Sequence, residues 1–318
     1  MSIIYCCRIG VGGYGDRLVG IITCYYISKL LDKQFYIEWN NEFSEFESFL
    51  EIKKPPFNTE NLTTISLIDG DAFKLIDFFS DENLEELFCK ENTKVFCNQN
   101  LVYYIYMNKN YNKLKLENYE NDISEAYYKI YTEFLIPKKI VKEQIDFFTN
   151  DFKNYDTIIG IHLRAGDSYI VSKDSIYTYS SNCTYLTENI LIFAINVLYE
   201  WIEKRFSNYA IYIMSDYPNI NIKFQEKFIG RKIFYYDKKQ IHTDMVTNLD
   251  DLYEGTLKLL LDHITLTKCG ITICHAISNL GKTASLISTG EKYGFGFNNI
   301  PTVEKISITD LSSKIKLI

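Results

Sequence analysis

The sequence predicts an α/β fold in two blocks, roughly 1–150 and 151–318, and three observations carry that prediction. At the start, an apolar strand runs into a glycine-rich loop, then a helix, then a second strand. A second strand–helix series opens at "DTIIGIHLR" (156–164), whose apolar centre is continuous, as a buried parallel strand requires. The closing third repeats the alternation with "GITICHA" (270–276) feeding a short helix. A cleft between two such blocks is a natural ligand site.

The elements follow in order. "IIYCCRI" (3–9) reads as a buried strand ending at glycines. Asp16 to Leu31 reads as a helix, with Leu18, Ile21, Ile22, Tyr25, Tyr26 and Leu30 largely on one face. "FYIEW" (35–39) is the next strand. Residues 40–150 are less regular: "KPPF" (54–57) marks a loop, "KVFCN" (94–98) a strand, and 122–150 a helical stretch interrupted near Pro137. In the second block, 165–184 is polar loop and Tyr185 to Phe206 is helix. "YAIYIMSD" (209–216) and "RKIFYYD" (231–237) are strands, Asp250 to Thr267 is helix, and 281–288 is the short closing helix.

Composition narrows the class. Of 318 residues, 47% are hydrophobic and 24% charged, which fits a well-packed globular protein. The net charge of −7 argues against a general nucleic-acid binder. Eight scattered cysteines form no CxxC pair, so no zinc site is expected and reduced buried thiols are. No signal peptide and no run of membrane-spanning length stands out, and the expected setting is a reducing cytoplasm.

Four short motifs carry the candidate chemistry. "RIGVGGYGDRLVGI" (8–21) places Gly10, Gly12 and Gly15 at the spacing of a dinucleotide fingerprint, with Glu38 available for a ribose. Asp16 and Arg17 then stand where such a helix packs closely on its strand. The loop therefore reads as an anion-facing turn, with small residues, a helix N-terminus and Arg17 supplying positive charge, or else as a plain tight turn. "IHLRAGD" (161–167) sets His162, Arg164 and Asp167 where a buried strand opens into a loop, the end of a parallel sheet at which ligands gather. Arg suits bidentate phosphate recognition, although an Arg164–Asp167 ion pair and a core histidine are the plain alternatives. "AISNLGKTAS" (276–285) fits a loose Walker A pattern, but few strands remain to supply a Mg²⁺-binding acid. The phosphate-binding capacity of a helix N-terminus with Ser278 is what survives. "DGD" (69–71) is ordinary turn chemistry.

Taken as an ordered set, these pieces resemble the fucosyltransferases of the α1,2/α1,6/O-fucosyltransferase superfamily. "GGYGDRLVGIITCYYISKLLDKQFYIEW" is similar to their N-terminal G-x-G-[ND]-[RQ] loop and helix, and "HLRAGD" to their H-x-R-x-[GT]-D motif. "IYIMSD" and "GITICHAISNLGKTASLIS" resemble two later strands with their turns. Two positions depart from the pattern: Asp16 where Asn is common, and Leu280 where an aromatic is often found.

The resemblance implies a GT-B-like fold of two Rossmann-type domains, with the donor mainly on the C-terminal domain and the acceptor mainly on the N-terminal one. It implies that Arg164 grips the diphosphate of GDP-fucose and that His162 and Asp216 lie near the nucleoside. Ser278, Asn279 and Gly281 would close on the phosphates, and Asp244 would meet the guanine edge. Gly13, Gly15, Asp16 and Arg17 would approach from the facing domain. The implied activity is inverting, metal-independent transfer of fucose to a glycan, with Asp167, Asp174 and Asp16 as candidate general bases. Three readings compete with it: a nucleotide triphosphatase or kinase built on "AISNLGKT", an NAD(P)-dependent oxidoreductase built on the first loop, and a nucleotide-binding module without catalysis.

Overall fold

All five residues of β1 (Ser2–Cys6) are buried, as a central parallel strand requires. It leads into α1 (Tyr14–Leu30) and then β2 (Gln34–Glu38), which pairs with β1 in parallel from Ser2↔Gln34 to Cys6↔Glu38. The computed structural model describes residues 1–7, 12–39, 45–68, 84–107, 119–166, 186–238, 249–296 and 302–308. Helix α1 begins at Tyr14, two residues before the expected start, because Gly13 takes the N-cap position and the Asp16 carboxylate accepts its N–H at 3.1 Å.

The chain divides into two compact units. One comprises Met1–Glu42, Leu50–Ile136 and Ile308–Ile318, the other Phe43–Phe49 and Pro137–Ser307. The short helix α2 (Phe46–Phe49) thus belongs to the second unit, where the Phe49 ring lies 4.7 Å from Tyr253. The first unit continues with β3 (Leu50–Ile52), β4 (Thr63–Leu67), α3 (Leu84–Leu87), β5 (Asn92–Cys97), α4 (Val102–Met107) and α5 (Tyr119–Lys129). Its main sheet runs β2-β1-β5-β4, all parallel. The helical stretch expected over 122–150 is two helices. After α5, a π-helical turn (Ile130–Phe134) and β6 (Leu135–Pro137), paired with β3, intervene before α6 (Lys139–Thr149). Pro137 cannot sit inside a helix, which fixes the break.

The second unit holds the longer sheet. Besides α2 and α6, its elements are β7 (Thr157–Leu163), α7 (Glu188–Glu203), β8 (Tyr209–Ser215), α8 (Ile220–Lys227) and β9 (Ile233–Phe234). α9 (Leu249–Thr267), β10 (Ile271–His275), α10 (Asn279–Ile287), β11 (Glu291–Gly296) and β12 (Thr302–Lys305) complete it. The order is β12-β11-β10-β7-β8-β9, parallel except for the β11–β12 pair.

Alternation along the strands sorts the two faces. Ile159, Ile161 and Leu163 of β7 join Ile211, Ile213, Ile271 and Ile273 in one core with Leu191, Ala194, Ile195 and Leu198 of α7. Gly160 and His162 point the other way, towards α9 and α10. From β7 the chain moves out through β8 and β9, then returns to place β10 on the opposite side of β7. Such a reversal, here at the carboxyl ends of β7 and β10, is where open parallel sheets form the crevice that binds ligands.

Candidate functional site

Arg164 follows β7 at this crevice, and Asp216 follows the adjacent β8. The parallel register sets Leu163 beside Ser215, so the two next residues emerge together. Three donors converge on the buried Asp216 carboxylate. Arg164 Nη1 lies 2.5 Å from Oδ2, the Gly166 N–H donates to Oδ2 at 3.0 Å, and the Ala165 N–H donates to Oδ1. Gly166 has φ +136°, a conformation that favours glycine and lets successive N–H groups turn to one carboxylate. Burial raises the Asp216 pKa, against the pull of Arg164 and the two N–H groups. The Arg164 side chain keeps 21% of its surface exposed, so Asp216 does not enclose it. Ser215 braces the corner by donating to the Leu163 carbonyl at 2.7 Å.

Across the reversal stands the turn from β10 to α10. The Ala276 N–H donates to the Phe295 carbonyl and the Ser278 N–H to the His275 carbonyl, so residues 276–278 form a short, tied turn. Ser278 is extended and half-buried, its side chain making no cap to the helix it precedes. His275 Nδ1 lies 3.1 Å from the Arg164 carbonyl and so links the two edges of the crevice. His162, fully buried on β7, packs against the backbone of Gly281: a Cβ there would lie 2.5 Å from Nδ1. Only glycine allows α10 to approach β7 this closely.

Burial pushes the pKa of His162 down to about 3, with His275, Arg164 and His263 adding to the effect. It pushes His263 to about 3 and His275 to about 4. These imidazoles are neutral at physiological pH. Lys282, buried in the first turn of α10, adds positive charge near His275 and Cys274.

The "AISNLGKT" segment does not form a P-loop. A Walker A loop wraps phosphate with the residues ahead of Gly-Lys-Thr, whereas here the helix already begins at Asn279. Thr283 is fully buried, and its hydroxyl donates to the Asn279 carbonyl at 2.8 Å and the Leu280 carbonyl at 3.1 Å, so it is not presented to a metal–nucleotide. The dinucleotide reading fares no better at its ribose acceptor. Glu38 accepts from Lys94 Nζ at 2.9 Å and from the Thr59 hydroxyl.

In the first unit, Gly12 has φ +99°, and a Cβ there would lie 2.6 Å from Asp16 Oδ2. Gly12, Gly13, Gly15 and Asp16 thus form one self-bonded turn. Arg17 is only 2% exposed, and its guanidinium lies over the Trp39 ring at 5.6 Å. Sequence reasoning gave Arg17 a phosphate-facing charge; among the described residues its guanidinium lies against Trp39. Tyr14 closes the same corner, its hydroxyl 2.9 Å from that of Tyr131.

The structure brings His162, Arg164, Asp216, Ser278, Asn279 and Gly281 to one edge of the second sheet. Asp167, Asp174, Asp244 and the "DGD" at 69–71 lie outside the described residues. Sequence reasoning missed His275 and His263, and read Lys282 only as the lysine of the Walker A alternative. His275 had one readable signal, a polar residue closing the apolar run "ITIC" beside the strand that ends at Arg164. Among the described residues no group of His, Cys, Asp and Glu is arranged to hold a metal ion. No described helix is long and apolar enough to cross a membrane.

No family model matches this sequence, and no curated protein matches it. Solved structures do match in fold. The NodZ α-1,6-fucosyltransferase soaked with GDP-fucose aligns over 96% of this chain and 98% of its own, at 16% identity and a TM-score of 0.61. The fucosyltransferase NodZ from Bradyrhizobium aligns over the same shares at 16% identity with a TM-score of 0.56. A mutant of Arabidopsis thaliana FUT1 in complex with GDP aligns over 92% of this chain and 70% of its own, at 12% identity with a TM-score of 0.62. Mixed α/β units with parallel sheets, aligned over nearly the whole chain, give this protein the GT-B-like fold seen in these fucosyltransferases.

Proposed function

We propose that this protein is an inverting glycosyltransferase that moves fucose from GDP-fucose to a glycan acceptor. The observation that carries the reading is Arg164 at the sheet reversal, braced by Asp216 and facing the turn into α10. Structures of similar fold hold GDP-fucose or GDP. In this reading a sugar–diphosphate breaks at its anomeric C–O bond, and negative charge builds on the departing diphosphate. The Arg164 guanidinium, Lys282 and the backbone N–H groups opening α10 stabilise that charge, without a metal. Asp216 holds Arg164 in place and keeps the loop N–H groups satisfied. A carboxylate takes the acceptor proton; the sequence offers Asp16, Asp167 and Asp174, and Asp16 is engaged as a helix cap.

The first test is a thermal-shift screen against GDP, UDP, ADP, NAD and GDP-fucose. A ligand at 100 times its dissociation constant adds about 2.7 kcal/mol, which a melting curve resolves. GDP and GDP-fucose should stabilise, and a response confined to ADP or NAD overturns the reading. Arg164→Ala should then slow fucose transfer by about 10²–10³-fold, and near-normal turnover refutes the role given to Arg164.

A further inference from the structure

We propose that His263 is a positioning residue of this site, setting the first turn of α10 through Thr283. The inference rests on the reading that this turn faces the donor diphosphate. His263 lies on α9, is fully buried, and has Nε2 at 2.9 Å from Thr283 Oγ1. The Thr283 hydroxyl in turn donates to the Asn279 and Leu280 carbonyls at 2.8 and 3.1 Å. With the hydroxyl proton on these carbonyls, Nε2 is the donor to Oγ1 and carries the proton of a neutral imidazole. The ring also meets the Leu280 carbonyl.

Each carbonyl shares a rigid peptide plane with the next N–H. Fixing the Asn279 and Leu280 carbonyls therefore fixes the Leu280 and Gly281 N–H groups, which point back out of the helix N-terminus. The other side of the same turn is fixed by the His162 ring against Gly281. The turn is held between two buried imidazoles, one from the sheet and one from the neighbouring helix. Around His263 on α9, Leu259, Leu260, Leu261, Ile264 and Leu266 are buried and apolar, beside the buried Lys258–Asp262 ion pair and Thr265. A polar ring at such a seam costs burial energy that a leucine would not, and it meets the Leu280 carbonyl and the Thr283 hydroxyl of one turn. Displacing donors by a fraction of an ångström is enough to weaken a phosphate grip without unfolding the helix.

The test uses the full chain and three variants, His263→Leu, His263→Gln and Thr283→Val, with GDP affinity, steady-state kinetics and melting temperature measured for each. His263→Leu and Thr283→Val should weaken GDP binding and raise the donor KM by about tenfold, and the double variant should be no worse than the weaker single. His263→Gln places an amide N–H where Nε2–H stood and should recover most of the affinity. A merely structural role predicts instead that melting temperature falls while the donor constants of the folded fraction stay put. GDP affinities within twofold of wild type in the leucine and valine variants overturn the proposal while leaving the donor reading intact. If His263→Leu does not fold, the glutamine variant and Thr283→Val decide by the same criterion. Failure of the wild type to bind GDP or GDP-fucose overturns the donor reading, and this inference with it.

Discussion

Acid should dismantle this protein through its buried histidines. Burial holds His162 and His263 at about 3 and His275 at about 4. In an unfolded chain each titrates near 6.5 (about). Between those values the unfolded chain binds more protons than the folded one, so stability must fall as pH falls. The contribution is complete above a pH of about 6.5 and drains away towards the folded values. From pH 7 to 5 the loss is about 2 kcal/mol for each ring, or about 6 kcal/mol for the three together. That is a large share of the roughly 5–15 kcal/mol that holds a typical domain. Arg164 opposes protonation of His162 and His275 in the folded state and Lys282 that of His275, while the His275 bond to the Arg164 carbonyl works the other way and outweighs either charge singly. Asp216, raised by burial, takes up a proton more readily folded than unfolded and offsets a small part of the loss.

The assay is urea unfolding at pH 7 and pH 5, followed by tryptophan fluorescence, with the slope m checked for constancy. His275→Asn keeps an N–H near the Arg164 carbonyl and should cut the acid loss by about a third. A loss below about 1 kcal/mol between the two pH values refutes the reasoning, because three neutral buried imidazoles cannot coexist with so flat a profile.

Three further outcomes follow from the same geometry. Asp216→Ala strands two loop N–H groups and releases Arg164, and should cost about 3 kcal/mol in urea unfolding together with most donor affinity. Gly281→Ala drives a Cβ to within 2.5 Å of His162 Nδ1, and calorimetry should show a loss of about 1–3 kcal/mol, more than glycine-to-alanine propensity returns. Asp16→Asn keeps an oxygen for the Gly13 N–H and should change stability by less than about 0.5 kcal/mol; a 10²-fold or larger loss of turnover in that stable variant would instead mark Asp16 as the base (roughly).

The central strands and long helices were legible because apolar runs such as "TIIGIHL" and "YAIYIMS" are buried on both faces and carry a strong signal. The short edges were not. β11 and β12 were not anticipated, since "EKYGFG" and "TVEK" are half-exposed and rich in glycine and charge. β9 shrank from the expected 231–237 to Ile233–Phe234 because only Ile211 and Tyr212 of β8 pair with it. At the site, Arg164 was readable as the cation at a strand end. Its pairing with Asp216 depends on β7 and β8 lying side by side in register, a property of the sheet with no local trace in the sequence. His263 was invisible for a related reason: in a helix that also carries Asp250, Glu254, Lys258 and Asp262, a polar residue reads as a surface position until the neighbouring helix is known.

The placement of Phe46 and Phe49 has a practical consequence. These two rings are fully enclosed, yet they come from a short stretch ahead of most of the first unit and belong to the second. The Lys138 N–H also donates to the Phe49 carbonyl, stitching residues far apart in order. A fragment cut at residue 137 for separate expression would therefore emerge with an open socket beside Tyr253. Supplying residues 43–49 as a peptide in trans, or grafting them through a short linker, should fill that socket in the isolated second unit.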